Sequence, residues 1–203
     1  MTLTVVTRTK NRPDLFARLV KSLGTYVKGT YTHIVSVERD VDAEYVKTEA
    51  PSAKIINVPL SVNCTDEHKP YNLHINTLVS SIEDGWIVII DDDDYLVANL
   101  DFIPREDDWS GGDYSDTMYV WKMSMPWGEE IPDTAELLGG HPIEGRIGTP
   151  CVCFHAKYRS YFEWDSRRAS DFRAISKLYS AVPNIIPVNK IMVCVGQIGN
   201  GKC

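Results

Sequence analysis

Four consecutive carboxylates, Asp91, Asp92, Asp93 and Asp94, follow directly on the apolar run Ile87, Val88, Ile89 and Ile90. Adjacent negative charges repel one another, so a fold that gathers them at the end of a buried strand is expected to supply a cation there. Carboxylate oxygens are hard ligands and point to Mg2+ or Mn2+ rather than zinc. In extended backbone, residues two apart face the same way, so Asp91 and Asp93 are expected to converge on one side while Asp92 and Asp94 face the other. Such a pair could hold a metal bound to a substrate diphosphate. An EF-hand loop is excluded, because Leu96 stands where its turning glycine belongs and no suitably placed Glu closes the site. A solvated acidic turn is the plain alternative. Position counts against it: an all-apolar run reads as a buried parallel strand, and open α/β sheets bind ligands beyond the carboxyl ends of such strands.

The elements that would position this run alternate strand and helix, which implies a parallel sheet with right-handed crossovers. Residues 3–6 form a short apolar strand. Pro13 and Asp14 then start a helix whose stripe is Leu15, Phe16, Leu19, Val20 and Leu23, with Gly24 as its stop. Residues 34–37 and 55–58 read as the second and third strands, the latter ended by Pro59. Residues 71–82 are helical in pattern and Gly85 closes them. Residues 102–116, rich in Asp, Gly, Pro and Trp, read as a loop over the sheet. Strands are expected over 118–125, 151–155, 185–188 and 190–195, and a helix over 170–181 with Phe172, Ile175 and Leu178 inward.

Composition narrows the function classes. A chain of 203 residues with 43% hydrophobic and 24% charged residues fits one soluble domain able to bury a core. The net charge of −7 disfavours a surface built for a long nucleic acid, although a local basic groove stays open. No window approaches eighteen apolar residues and no leader pattern opens the chain, so no membrane insertion is expected. Five cysteines, Cys64, Cys151, Cys153, Cys194 and Cys203, make an odd total without a Cys-x-x-Cys pair. They read as small buried hydrophobes in a reducing cytoplasm rather than as a zinc site.

Taken in order, a first strand followed by TRTKNRP at 7–13, a strand ending in Glu38, Arg39 and Asp40, and IIDDDDYL at 89–96 resemble the nucleotide-sugar-binding half of family 2 glycosyltransferases. The likeness continues through residues 148–157, similar to an acceptor-side strand, and 169–173, similar to the segment with the catalytic carboxylate. The resemblance implies a GT-A fold, which is an α/β, Rossmann-like, mixed and mostly parallel sheet flanked by helices. It also implies one domain over 1–203, with a donor half at 1–95 and an acceptor half at 96–203. Asp91 and Asp93 would hold Mn2+ or Mg2+. Thr7, Arg8, Arg12, Asp91 and Asp92 would meet a nucleoside diphosphate sugar, with Arg8 favoured over Lys10 and Arg12 for the diphosphate because it is nearest the strand end. Asp40, with Glu38 as competitor, would recognise the base or ribose. Asn72 and Asn76, four apart on a helix, would look onto the sugar pocket.

Asp171 is the candidate base. Ser170 reads as a helix N-cap with Asp171 in the first turn, where the helix dipole keeps a carboxylate ionised; that is also a sufficient structural reason for an Asp there. As a base it would take the proton of an acceptor hydroxyl during a single inverting displacement. His155 and Trp164 are placed on the acceptor side, with a structural histidine and a core tryptophan as alternatives. The chain departs from the family in its tail, which offers Gln197, Asn200 and Lys202 where many members carry a His or Arg. The expected activity is metal-dependent glycosyl transfer to a hydroxyl acceptor. A sugar-nucleotide-binding protein without catalysis remains open. So does a sugar-phosphate nucleotidyltransferase, against which stands the absence of glycine from residues 7–13.

Overall fold

Two apolar runs form the centre of the sheet. In β1 (Leu3–Arg8) and β4 (Trp86–Ile89) every residue but Arg8 is buried, as expected of parallel strands covered on both faces. The computed structural model describes residues 2–58, 72–104 and 114–196. Cys64, Cys203, the tail residues Gln197, Asn200 and Lys202, and positions 105–113 of the expected loop lie outside them.

The remaining elements are α1 (Pro13–Tyr26), β2 (Tyr31–Val37), α2 (Asp40–Glu49), β3 (Lys54–Asn57), α3 (Leu73–Ser80), β5 (Asp94–Leu96), β6 (Thr117–Ser124), β7 (Glu130–Ile131), α4 (Thr134–Leu138), β8 (Val152–His155), α5 (Ser170–Ala181) and β9 (Asn184–Val195). The strand order is β3-β2-β1-β4-β8-β6-β9-β5, with β7 paired to β6. The first four strands are mutually parallel. β8 runs antiparallel to both β4 and β6, so β6 points the same way as β4. The carboxyl ends of β1, β2, β4, β6 and β9 therefore share one rim of the sheet, and the acidic run lies on it.

Helix α1 begins at Pro13 and buries Phe16, Leu19 and Leu23, each contributing roughly 1.5–3 kcal/mol by leaving water. It runs through Gly24 to Tyr26: a Cβ at 24 would meet nothing within 4 Å, so this glycine lies on the open side and does not stop the helix. Gly85 has a structural requirement, with φ of +89° and the Thr2 carbonyl oxygen 2.3 Å from where a Cβ would sit. The two strands expected at 185–188 and 190–195 are one strand, β9. Its partners skip from Val188 to Ile191 along β6, and this bulge gives the sequence the look of two pieces. Among the described residues no helix is long and apolar enough to cross a membrane.

Candidate active site

The acidic run does not continue as a strand. Extended structure ends at Ile89, and a turn closed by Asp94 N–H donating to the Asp91 carbonyl at 3.0 Å carries Asp92 and Asp93. Strict alternation of faces is therefore lost. Asp91 faces Arg8, whereas Asp92 and Asp93 both turn to Arg12, whose Nη1 reaches Asp92 Oδ1 at 3.0 Å and Asp93 Oδ2 at 2.9 Å. Arg8 embraces Asp91 through two nitrogens, Nε donating to Oδ1 at 2.9 Å and Nη2 to Oδ2, a fork geometry that a lysine cannot supply.

These arginines do not neutralise the cluster. Burial pushes the Asp92 carboxyl up to about 6, against the opposing pull of Arg12 and of the Thr9 hydroxyl, which donates to Asp92 Oδ2 at 2.8 Å. Asp93 is raised by burial and by the charge of Asp91, and Asp94 well raised by burial and the same neighbours. Burial is the largest cause of each shift, so the rim resists full ionisation even with two arginines beside it. The donor set suits a hard divalent cation. No three metal-ligating side chains cluster among the described residues, and Asp91 and Asp93 are turned to different arginines, so an ion held by this pair would have to draw them away from Arg8 and Arg12.

Several contacts fix the turn from below. Arg18 Nη2 donates to the Asp93 carbonyl at 2.7 Å while its guanidinium lies over the Tyr95 ring at 4.4 Å. Gly196 closes over the same carbonyl. A Cβ there would stand 2.0 Å from both the Asp93 oxygen and Arg18 Nη2, so only glycine fits. The loop after β1 is pinned by Asp42, which accepts from Asn11 N–H and from Arg39. Burial pushes Asp42 up, but those hydrogen bonds hold its carboxyl below the usual range.

Arg8 also links the rim to the second half. Its Nη1 donates to Asn72 Oδ1 at 3.4 Å and its guanidinium stacks 4.7 Å from the Trp164 ring centre. Asn72 Nδ2 in turn donates to Ser170 Oγ at 3.1 Å. Ser170 is thus the first residue of α5 rather than its cap. The cap position is Ala169, in left-handed conformation at φ of 56° and without a side-chain hydrogen bond. Asp171 follows, half-buried, with its Oδ2 3.7 Å from where a Cβ on Gly148 would stand. Burial raises the Asp171 carboxyl despite the Phe172 N–H and the nearby charge of Arg8, the reverse of a carboxylate held ionised by the helix terminus.

Other expected site residues have different surroundings. Thr7 is buried and its hydroxyl lies 3.0 Å from His33 Nε2, so Thr9 takes its place at the acidic turn. Asp40 is exposed at the start of α2, a helix with too weak an apolar stripe to read from sequence. Glu38 is ion-paired with Lys10 at 2.6 Å. Asn76 spends both ends of its amide on the Trp164 backbone, accepting from its N–H at 2.8 Å and donating to its carbonyl at 2.7 Å, which makes it a clamp for that loop. Trp164 is buried and lies against Arg8 at the acidic turn. His155 is on the wrong edge: β8 runs antiparallel to β4 and pairs His155 with Trp86, at the opposite end of the sheet from the acidic run. There it packs edge-on against Trp86 and lies 3.3 Å from Asp84.

Thr9, Arg18 and Gly196 are site residues that the sequence did not disclose, since each meets the acidic turn from a distant element. His74 on α3 is another. It is buried, burial lowers its ring below the usual histidine range, and the charges of Glu38, Arg8 and Lys10 reach it. Its Nε2 and the Trp164 Nε1 are buried without a hydrogen-bond partner among the described residues, an expensive condition.

No protein-family model matches the chain, and no curated protein matches its sequence. Solved structures do resemble it. TarS 1–349 of S. aureus superimposes with a TM-score of 0.72 at 17% identity, over 96% of this chain and 60% of that one. The same fragment in complex with UDP-GlcNAc gives 0.69 at 16%, over 98% and 60%. The mannosyltransferase PcManGT from Pyrobaculum calidifontis, in complex with GDP-Man and Mn2+, gives 0.63 at 14%, over 98% and 58%. The chain thus spans about 60% of the length of these structures. Mostly parallel in its first half, mixed in its second and flanked by helices, the sheet has the GT-A fold of glycosyltransferases.

Proposed function

We propose that the protein is a glycosyltransferase that moves a sugar from a nucleoside diphosphate to a hydroxyl acceptor with inversion, as one catalytic unit in which residues 1–95 serve the donor and 96–203 the acceptor. The observation that carries this reading is the chain Asp91, Arg8, Asn72, Ser170, which ties the acidic turn to the helix bearing Asp171. The structures it resembles include complexes with UDP-GlcNAc and with GDP-Man and Mn2+, which supports a nucleotide-sugar donor.

Mechanistically, the half-buried Asp171 accepts the proton of the acceptor hydroxyl as that oxygen attacks the anomeric carbon and the bond to the diphosphate breaks. Its raised pKa strengthens it as a base, provided the carboxyl is still ionised at working pH. Arg8 and Arg12 orient the departing diphosphate by charge-assisted hydrogen bonds. Asp91 and Asp93 form the DxD pair that would hold Mn2+ or Mg2+, and the bound ion would offset the charge of the leaving group. Free thiols at Cys151 and Cys194 suit a reducing compartment such as the cytoplasm.

Titration of the protein with UDP, GDP and TDP in the presence of Mn2+ tests the donor reading. Binding of one of them that is lost on adding EDTA supports it. Absence of binding by all three, with and without metal, overturns it. If the nucleotide binds but the matching nucleotide sugar is neither hydrolysed nor transferred, the chain is a binding protein instead.

A further inference from the structure

Among the described residues, three of the large apolar side chains most open to solvent lie in one excursion, the segment between β6 and β8: Trp127 is 57% exposed, Leu138 61% and Ile143 48%. Trp127 stands apart because its polar edge has a partner. Its indole N–H donates to Glu129 Oε2 at 2.8 Å, and the other Glu129 oxygen accepts from Arg146. Arg146 Nε donates to Glu136 Oε1 at 2.8 Å, and Glu136 closes a capping box with Asp133 at the start of α4. A tryptophan whose polar edge is already engaged presents its ring faces.

Topology places the hairpin that carries this ring near the proposed site. β6 ends on the same rim as β4, and Cys194 of β9 pairs with Ser124 of β6 on one side and Tyr95 of β5 on the other. Two strand spacings, about 10 Å, therefore separate the end of the acidic turn from the start of the hairpin, and Trp127 is three residues further, a reach of at most about 10 Å. Within β6, Met123 Cε stands 3.1 Å from where a Cβ on Gly148 would lie, and Gly148 borders Asp171. The excursion thus reaches the candidate base at Gly148.

The chemistry around the ring selects the ligand. Glu129, Glu130, Asp133 and Glu136 outnumber Lys122 and Arg146, so a polyanion is repelled. Carboxylate oxygens with spare lone pairs beside an aromatic face accept hydroxyls, and the ring takes an apolar sugar face. We infer that Trp127, with Glu129 and Glu136, forms a distal acceptor subsite that stacks one ring of a neutral saccharide, so that the acceptor of the proposed transfer is itself a glycan of two or more units. The inference rests on the glycosyltransferase reading for its reaction, but not for its binding.

Wild-type protein, Trp127→Ala and Trp127→Phe are titrated calorimetrically with maltotriose, cellotriose and chitotriose, and in parallel with UDP and GDP in Mn2+. The expected result is binding of at least one trisaccharide that Trp127→Ala weakens about tenfold or more and Trp127→Phe weakens only about threefold, since a phenyl ring still stacks. Nucleotide affinity stays unchanged in both variants, and matching melting curves show that they fold. Failure of all three trisaccharides to bind, or equal binding by Trp127→Ala, overturns the inference. So does Trp127-dependent sedimentation with phosphatidylcholine vesicles in place of sugar binding, which would make the excursion a membrane contact. Loss of nucleotide binding in the wild type sinks the transfer reading alone, while the trisaccharide titrations still decide the subsite.

Discussion

Among the described residues, two clusters in which arginine meets several carboxylates behave in opposite ways. At the acidic turn, Arg8 and Arg12 face a run of four aspartates, and Asp92, Asp93 and Asp94 are all raised by burial. In the excursion, Arg146 faces Glu129, Asp133 and Glu136, yet Glu129 is lowered by its hydrogen bonds from Trp127 and Arg146 because water still reaches it. Counting charges does not separate the two. Burial does: a buried surplus of negative charge is held at a cost to stability and invites a cation, whereas an exposed one is a surface arrangement of small energetic weight.

That contrast can be broken by experiment. Asp171→Asn should reduce transfer about a hundred- to ten-thousandfold while nucleotide affinity holds, because a base is lost and the donor contacts are not; steady-state rates with a nucleotide sugar and parallel calorimetry check it. Gly196→Ala drives a methyl into the Asp93 carbonyl and Arg18, and should lower unfolding free energy by about 1–3 kcal/mol in urea titrations.

The dependence of stability on pH sharpens the comparison. Burial lowers His33 to about 4, so the stability tied to its neutral form is present above pH 6.5 and lost as pH falls through 4. Asp92, raised to about 6, acts in the opposite sense: its contribution is full below about 3.8 and lost as pH rises through 6. Each is on the order of 3 kcal/mol, so Asp92 offsets most of what His33 contributes between pH 4 and 6.5, and the raised Asp93, Asp94 and Asp171 act in the same sense as Asp92. Asp92→Asn should therefore stabilise the metal-free protein at pH 7 by about 1–3 kcal/mol and shift the change in stability from pH 4 to 6.5 upward relative to the wild type. Melting curves across that range decide the matter. Glu129→Gln, in the exposed cluster, should leave the melting temperature essentially where it was.

How far the sequence could be read follows from the same physics. Strands β1 and β4, helix α1 and helix α5 announce themselves through apolar runs and stripes that burial demands. Helix α2 does not, since its buried residues are an aspartate and a valine. The carboxylates at 91 and 93 were legible as a group, but their partners were not. Thr9, Arg18 and Gly196 reach the turn across 75 or more positions or through a close backbone approach that no local pattern encodes. His155 was misplaced for a related reason: whether a strand runs up or down the sheet decides which rim its last residue occupies, and strand direction is a property of the whole topology.

Arg8 has one further consequence. Its guanidinium is already committed to Asp91, Asn72 and the face of Trp164, so an anion arriving there finds no bare positive charge waiting. It must exchange places with a carboxylate that the protein carries as an internal counterion. Entry becomes a partner swap in which few dissolved ions are set free, and the affinity of such a guest should vary only weakly with salt.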